Sequence, residues 1–278
     1  MTDLEKTEHT VSPSGNKEAL DEIVVTEASD MASPDKKVVY VVDENLPGRN
    51  RAMAIFLMPM FILLSGFIGI PFVATNTLNI TVSVLTTITA ELIAITIALR
   101  YTRSTPEWKK VLKLQNFKLK HVLIGAGTGF TMFWLLQVSA VFLNKIGLQI
   151  GSSETSVALG GTEGFTRILI YFIFVPLIIP FVEEIFFRGA IMSFAQRGIK
   201  SKKVGTITAI TISSVAFGLA HTQGFSTFDD FFTIVWTGFV GFISSIMVLK
   251  YDSIYPAYAL HLFYNGTTVV ATTLLASM

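Results

Sequence analysis

The chain has 278 residues, of which 51% are hydrophobic and 15% charged, with a mean hydropathy of +0.59. Soluble domains carry about 25% charged residues, so an ordinary soluble globular protein is excluded. Cysteine is absent, which excludes a disulfide framework, a thiolate metal site and a cysteine nucleophile. The net charge of +1 hides a division: eleven acidic against five basic groups in residues 1–50, nine against sixteen in 51–278.

Residues 1–48 are rich in Glu, Asp, Ser, Thr and Lys, with Pro13 and Pro34, and have one short apolar run, Val38–Val42. Such a segment cannot bury enough apolar surface to fold alone, so it is expected to be a disordered, acidic cytosolic tail. Its acidic start, with no apolar stretch behind it, does not read as a signal peptide.

From residue 49 the pattern predicts an all-α fold, a polytopic transmembrane helix bundle of about seven spans. The spans fall near 52–74, 79–99, 119–143, 166–195, 204–221, 230–249 and 254–276. The stretch 166–195 is too long for one straight crossing and contains Pro176 and Pro180, so a kink or two shorter segments is expected there. Residues 144–165, polar and glycine-containing, are expected to form an external loop. The basic residues collect in alternate connections. Arg49 and Arg51 precede the first span, Arg100 to Lys120 precede the third, Arg197 to Lys203 precede the fifth, and Lys250 follows the sixth. The positive-inside rule then places the N-terminus in the cytosol and the C-terminus outside. This basic excess reads as topology, and no nucleic-acid partner is expected. Gly125, Gly127 and Gly129 open no βαβ unit, so they read as close helix packing and not as a nucleotide loop. Gly238 and Gly241 read the same way.

One stretch departs from this pattern. Phe181-Val-Glu-Glu-Ile-Phe-Phe-Arg188 puts three charges inside an apolar run, each costing at least ~2.5–3.5 kcal/mol at the centre of a membrane helix. Glu184 and Arg188 are i,i+4 and can pair. Glu183 is turned by about 100° and is left for something else. The last four spans also hold His221, four residues after Phe217, and His261 and Asn265, again i,i+4. Each residue alone has an ordinary reading: a structural ion pair, a packed histidine, an amide bridging two helices. Together, an unpaired carboxylate, two imidazoles and an amide donor form a set able to activate water and stabilise an oxyanion. On even crossings, however, Glu183 and His261 would lie in inner halves of spans and His221 at an outer end, so the convergence is demanding.

Glu183-Glu184-x-x-x-Arg188, Phe217-x-x-x-His221 and His261-x-x-x-Asn265 resemble the three motifs of the CPBP family of intramembrane proteases. That family includes type II CAAX prenyl endopeptidases and the Abi-like bacteriocin-processing and self-immunity proteins. The resemblance covers roughly 166–270, including the approach Asp252-Ser-Ile-Tyr-Pro-Ala-Tyr-Ala-Leu-His261. It implies an endopeptidase in a bacterial plasma membrane acting on a peptide or membrane-protein substrate. Glu183 would activate water with the help of His221, His261 and Asn265 would stabilise the oxyanion, and Glu184 and Arg188 would position the site. A metal is not favoured, because no HExxH pair is present and an Asn suits an oxyanion hole. Zn²⁺ would fall on Glu183, His221 and His261. The alternative is a non-proteolytic immunity or regulatory protein on the same scaffold. A proton-relaying transporter fits less well, because paired broken helices in repeated halves are not evident.

Overall fold

The structure is a computed structural model and describes residues 46–74, 80–148, 150, 170–222 and 225–276. Residues 1–45 of the acidic tail and most of the expected external loop lie outside the described residues. Every regular element among the described residues is helical. Helices α1 (Leu46–Ala74) and α2 (Ile80–Tyr101) lead to a short α3 (Trp108–Val111) and then to α4 (Leu119–Lys145). A continuous helical run from Ile170 to Gly198 is called α5. It is followed by α6 (Lys202–Ala220), α7 (Phe228–Tyr251) and α8 (Tyr255–Ala276). Among the described residues four helices, α2, α4, α6 and α7, are long and apolar enough to cross a membrane by length and composition.

The local chemistry explains the boundaries. Ser201 caps α6, its hydroxyl accepting from the Val204 amide. Thr227 and Asp230 cap α7 reciprocally, each side chain accepting from the other's backbone N–H. The α7–α8 turn passes through Asp252 in the left-handed region, φ 50°. Its carboxylate pairs with Lys113, and the Ile254 amide donates to the Lys113 carbonyl at 3.0 Å. Threonines inside the apolar helices return their hydroxyls to the carbonyl four residues back, as Thr128, Thr131, Thr267 and Thr272 do. This satisfies them without water.

Burial follows helix faces. On α2 the buried positions Thr86, Ala90, Ala94 and Ala98 step by four, with Glu91, Ile95 and Leu99 beside them. This face meets Ile185, Phe186, Phe187 and Ile191 of α5 and Leu57 of α1 in the main apolar core. The outward faces carry large exposed apolar side chains such as Leu63, Phe67, Leu123, Trp134 and Phe142. That distribution suits a lipid surround.

The segment around Pro176 and Pro180 does not break into two helices. It continues as one run in which wide π turns (Ile170–Ile178 and Ile185–Ile191) alternate with α-helical turns (Ile179–Glu184 and Met192–Gly198). Pro176 lies inside the first wide segment. A proline removes a backbone donor and crowds the preceding turn, and a wider turn relieves both.

Candidate functional site

The site is built where α5, α6 and α8 meet. Glu184 and Arg188 are both fully buried, with Nη1 3.1 Å from Oε1, as their i,i+4 spacing predicts. The guanidinium also lies over the Phe217 ring of α6, 4.2 Å from its centroid, and 5.8 Å from that of Phe187. A planar cation between an aromatic face and a carboxylate is held by electrostatics from both sides. Gly241 of α7 makes room for it: a Cβ there would stand 3.0 Å from Nη2.

His261 lies between the two glutamates. Its Nδ1 is 3.3 Å from Glu184 Oε1 and its Nε2 3.6 Å from Glu183 Oε2. A neutral ring that donates from Nδ1 to Glu184 leaves Nε2 as an acceptor beside Glu183. His221, at the C-cap of α6, is arranged alike. Its Nδ1 lies 2.8 Å from the Phe217 carbonyl, which can only accept, so Nδ1 carries the proton and a neutral ring offers Nε2. Glu183, His221 and His261 each present one potential ligand atom, all within 4.8 Å of one another.

The convergence that even crossings made difficult comes from helix register. The Ser213 hydroxyl donates to the Phe187 carbonyl at 3.0 Å, and Phe217 covers Arg188. The two helices run antiparallel, so each step forward on α6 is a step back on α5. His221, at the end of α6, comes close to Glu183, which stands one turn before Phe187 on α5, their potential ligand atoms lying within 4.8 Å. The end of α6 thus lies beside the middle of α5.

Asn265 is one turn beyond His261 on α8. Its Nδ2 donates to the Val175 carbonyl at 3.3 Å. Val175 is in the first wide segment, where its backbone donor would be the residue five positions on. That residue is Pro180, which has no N–H. Asn265 brings a donor to that carbonyl from another helix and keeps a second N–H for other use. The Tyr258 hydroxyl likewise donates to the Leu177 carbonyl at 3.2 Å. The irregular half of α5 is thus tied to α8 by side chains. Neither tie is legible in the sequence, because each joins residues more than eighty positions apart.

Several buried polar atoms here have no hydrogen-bond partner: Glu183 Oε2, Glu184 Oε2, the three guanidinium nitrogens of Arg188 and, from α2, Glu91 Oε2. Arg188 and Glu184 are therefore close ions whose alignment falls short of a hydrogen bond. Unsatisfied groups of this kind cost about 1–3 kcal/mol each unless water or a substrate meets them. The donor set also fits a metal, with a carboxylate oxygen and one nitrogen of each imidazole converging and each Nδ1 near an oxygen behind it.

Residues 165–267 match the family described as type II CAAX prenyl endopeptidase Rce1-like. The match takes in Glu183, Glu184, Arg188, His221, His261 and Asn265 and supports the kinship with CPBP proteases read from the three motifs. It leaves α1, α2 and α4 uncovered. No curated protein and no solved structure matches the chain. The chain is thus a membrane-embedded helical protein carrying a CAAX-protease-like region.

Proposed function

We propose that the protein is an intramembrane endopeptidase in which Glu183 activates water against a peptide carbonyl. The observation that carries this reading is the approach of Glu183, His221 and His261 to within 4.8 Å in an apolar bundle. In the proposed reaction Glu183 takes a proton from water as the water oxygen bonds to the carbonyl carbon. The water's other O–H donates to Nε2 of His221, which its Nδ1 contact fixes, and Nε2 of His261 accepts from the Glu183 carboxyl once that carries the proton. The free N–H of Asn265 donates to the developing oxyanion. When the C–N bond breaks, Glu183 returns its proton to the leaving amine. Glu184 and Arg188 touch no reacting atom and act by orienting His261.

Glu183, His221 and His261 would be the ligands if a Zn²⁺ were bound, and the ion would supply an acidified water and a Lewis acid. Loss of cleavage with a chelator, restored by Zn²⁺, would select that form over the metal-free one.

We read the helices as seven crossings of a bacterial plasma membrane with a cytosolic N-terminus, on the distribution of Lys and Arg. The substrate class we favour is a short peptide or a membrane-protein segment. A panel of internally quenched peptides, with and without a prenylated CAAX end, tests the activity on purified protein in nanodiscs. E183Q, H221A and H261A should each lower cleavage by at least about 10²–10⁴-fold, the usual contribution of a positioned acid–base group, with insertion intact. Full activity in all three variants would end the proposal. Substrate trapping with E183Q would then identify the natural substrate.

A further inference from the structure

A third carboxyl reaches the centre from a helix outside the family match. Glu91 stands midway along α2, one turn before Ile95, and is 2% exposed. Its face of α2 packs on the part of α5 that carries Glu183. Oε2 of Glu91 and Oε2 of Glu183 are both buried and both without a hydrogen-bond partner. No cation pairs with Glu91 among the described residues. Glu184 at the same depth has both Arg188 and His261.

Packing does not account for this residue. Its neighbours along the face are alanines, Ile95 and Leu99, and an apolar side chain would fill the place without desolvating a carboxyl. An ionisable group inside a span points by default to function, and the nearest chemistry is that of Glu183. We propose that Glu91 is a positioning residue: its carboxyl holds the Glu183 carboxyl, through one shared hydrogen bond or one bridging water, turned towards His221 and His261. This rests on the reading of Glu183 as the water-activating group. It assigns to α2, which carries none of the three motifs, a part in the site.

The test uses the full-length protein in lipid nanodiscs as wild type, E91Q, E91L and E91M. The amide of E91Q keeps the shape and the hydrogen bonding, whereas the other two remove the polar group. Modification of Glu183 by dicyclohexylcarbodiimide, read by mass spectrometry, reports its orientation without any substrate. E91L and E91M should change that rate at least about fivefold, and should lower kcat on the best quenched peptide about 10–100-fold with KM nearly unchanged, as expected for a misplaced catalytic group. E91Q should restore most of both. If the apolar variants label and cleave like wild type, Glu91 is a packing residue and the proposal fails. If both apolar variants unfold, E91D decides: its carboxyl sits one methylene further back, and wild-type labelling and kcat there end the proposal. If wild type cleaves no peptide yet labelling still follows residue 91, the protease reading fails and the positioning of Glu183 by Glu91 stands.

Discussion

The charged centre on α5 and the seam between α4 and α8 solve opposite problems. The centre buries two carboxyls, a guanidinium and an imidazole beside the partly buried Glu183, leaves several of their atoms without partners, and sits on a helix with widened turns. The seam has no charge. Gly125 and Gly129, one turn apart on α4, lie against the Pro256 and Leu260 carbonyls of α8, so close that any Cβ would overlap backbone. In lipid no hydrophobic drive brings helices together, and close backbone contact through small residues takes its place. The two regions share α8. The seam that fixes Leu260 also fixes His261 and, a turn later, Asn265. A regular, tightly packed interface thus carries the cost of an irregular, polar one.

If the centre is costly, removing one ion should hurt most. R188M leaves Glu184 fully buried beside His261 with no guanidinium, and should destabilise by about 3–5 kcal/mol, read by thermal unfolding in detergent. Adding E184L should recover most of that loss, because the pair is then replaced by apolar volume. A single R188M variant as stable as wild type would mean that the unaligned ion pair contributes nothing and that water already screens the site.

The seam is tested by glycine. G129A should cost about 1–3 kcal/mol, because the clash is with backbone and cannot be relieved by a rotamer change. Gly127, two residues back, has open space where a methyl would go, with nothing within 4 Å, so G127A should leave stability and activity unchanged. G129A should also lower cleavage more than its stability loss explains, since it displaces the helix bearing His261. Equal effects of the two substitutions would dissolve the distinction between seam and lipid face.

How far the sequence carried this picture depends on whether an interaction is local. Helix positions followed from hydropathy, and the Glu184–Arg188 pair followed from i,i+4 spacing. The gathering of Glu183, His221 and His261 was anticipated from three motifs, but spacing within helices could not supply the register between them. That register rests on contacts such as Ser213 to Phe187, which join residues far apart in the chain. The alternating glycines announced close packing without saying that Gly125 and Gly129 face α8 while Gly127 does not. Glu91 was visible as a lone carboxyl in an apolar span, yet its meaning required knowing which face of α2 meets α5. His261 touching both glutamates was likewise invisible, because a 100° rotation between Glu183 and Glu184 suggested different surroundings. A third element placed between them removes that difference.

The smallest effect concerns where the two regions join. Asn265 donates to the Val175 carbonyl, and Pro180, five residues on, has no N–H to offer it. N265L should therefore cost about 1 kcal/mol of stability, the value of one buried hydrogen bond, apart from any loss of catalysis. P180A returns an N–H to position 180, five residues after Val175. In that background the Val175 carbonyl has a backbone donor, and N265L should lose most of its stability cost. A double-mutant cycle should thus show coupling between two residues that need not touch, each acting through the same carbonyl. Cleavage should follow a different rule. If Asn265 also serves the oxyanion, P180A rescues the stability of N265L and leaves its activity low. If activity returns with stability, the amide is a brace for α5 alone, and the oxyanion must be met by another donor of the centre.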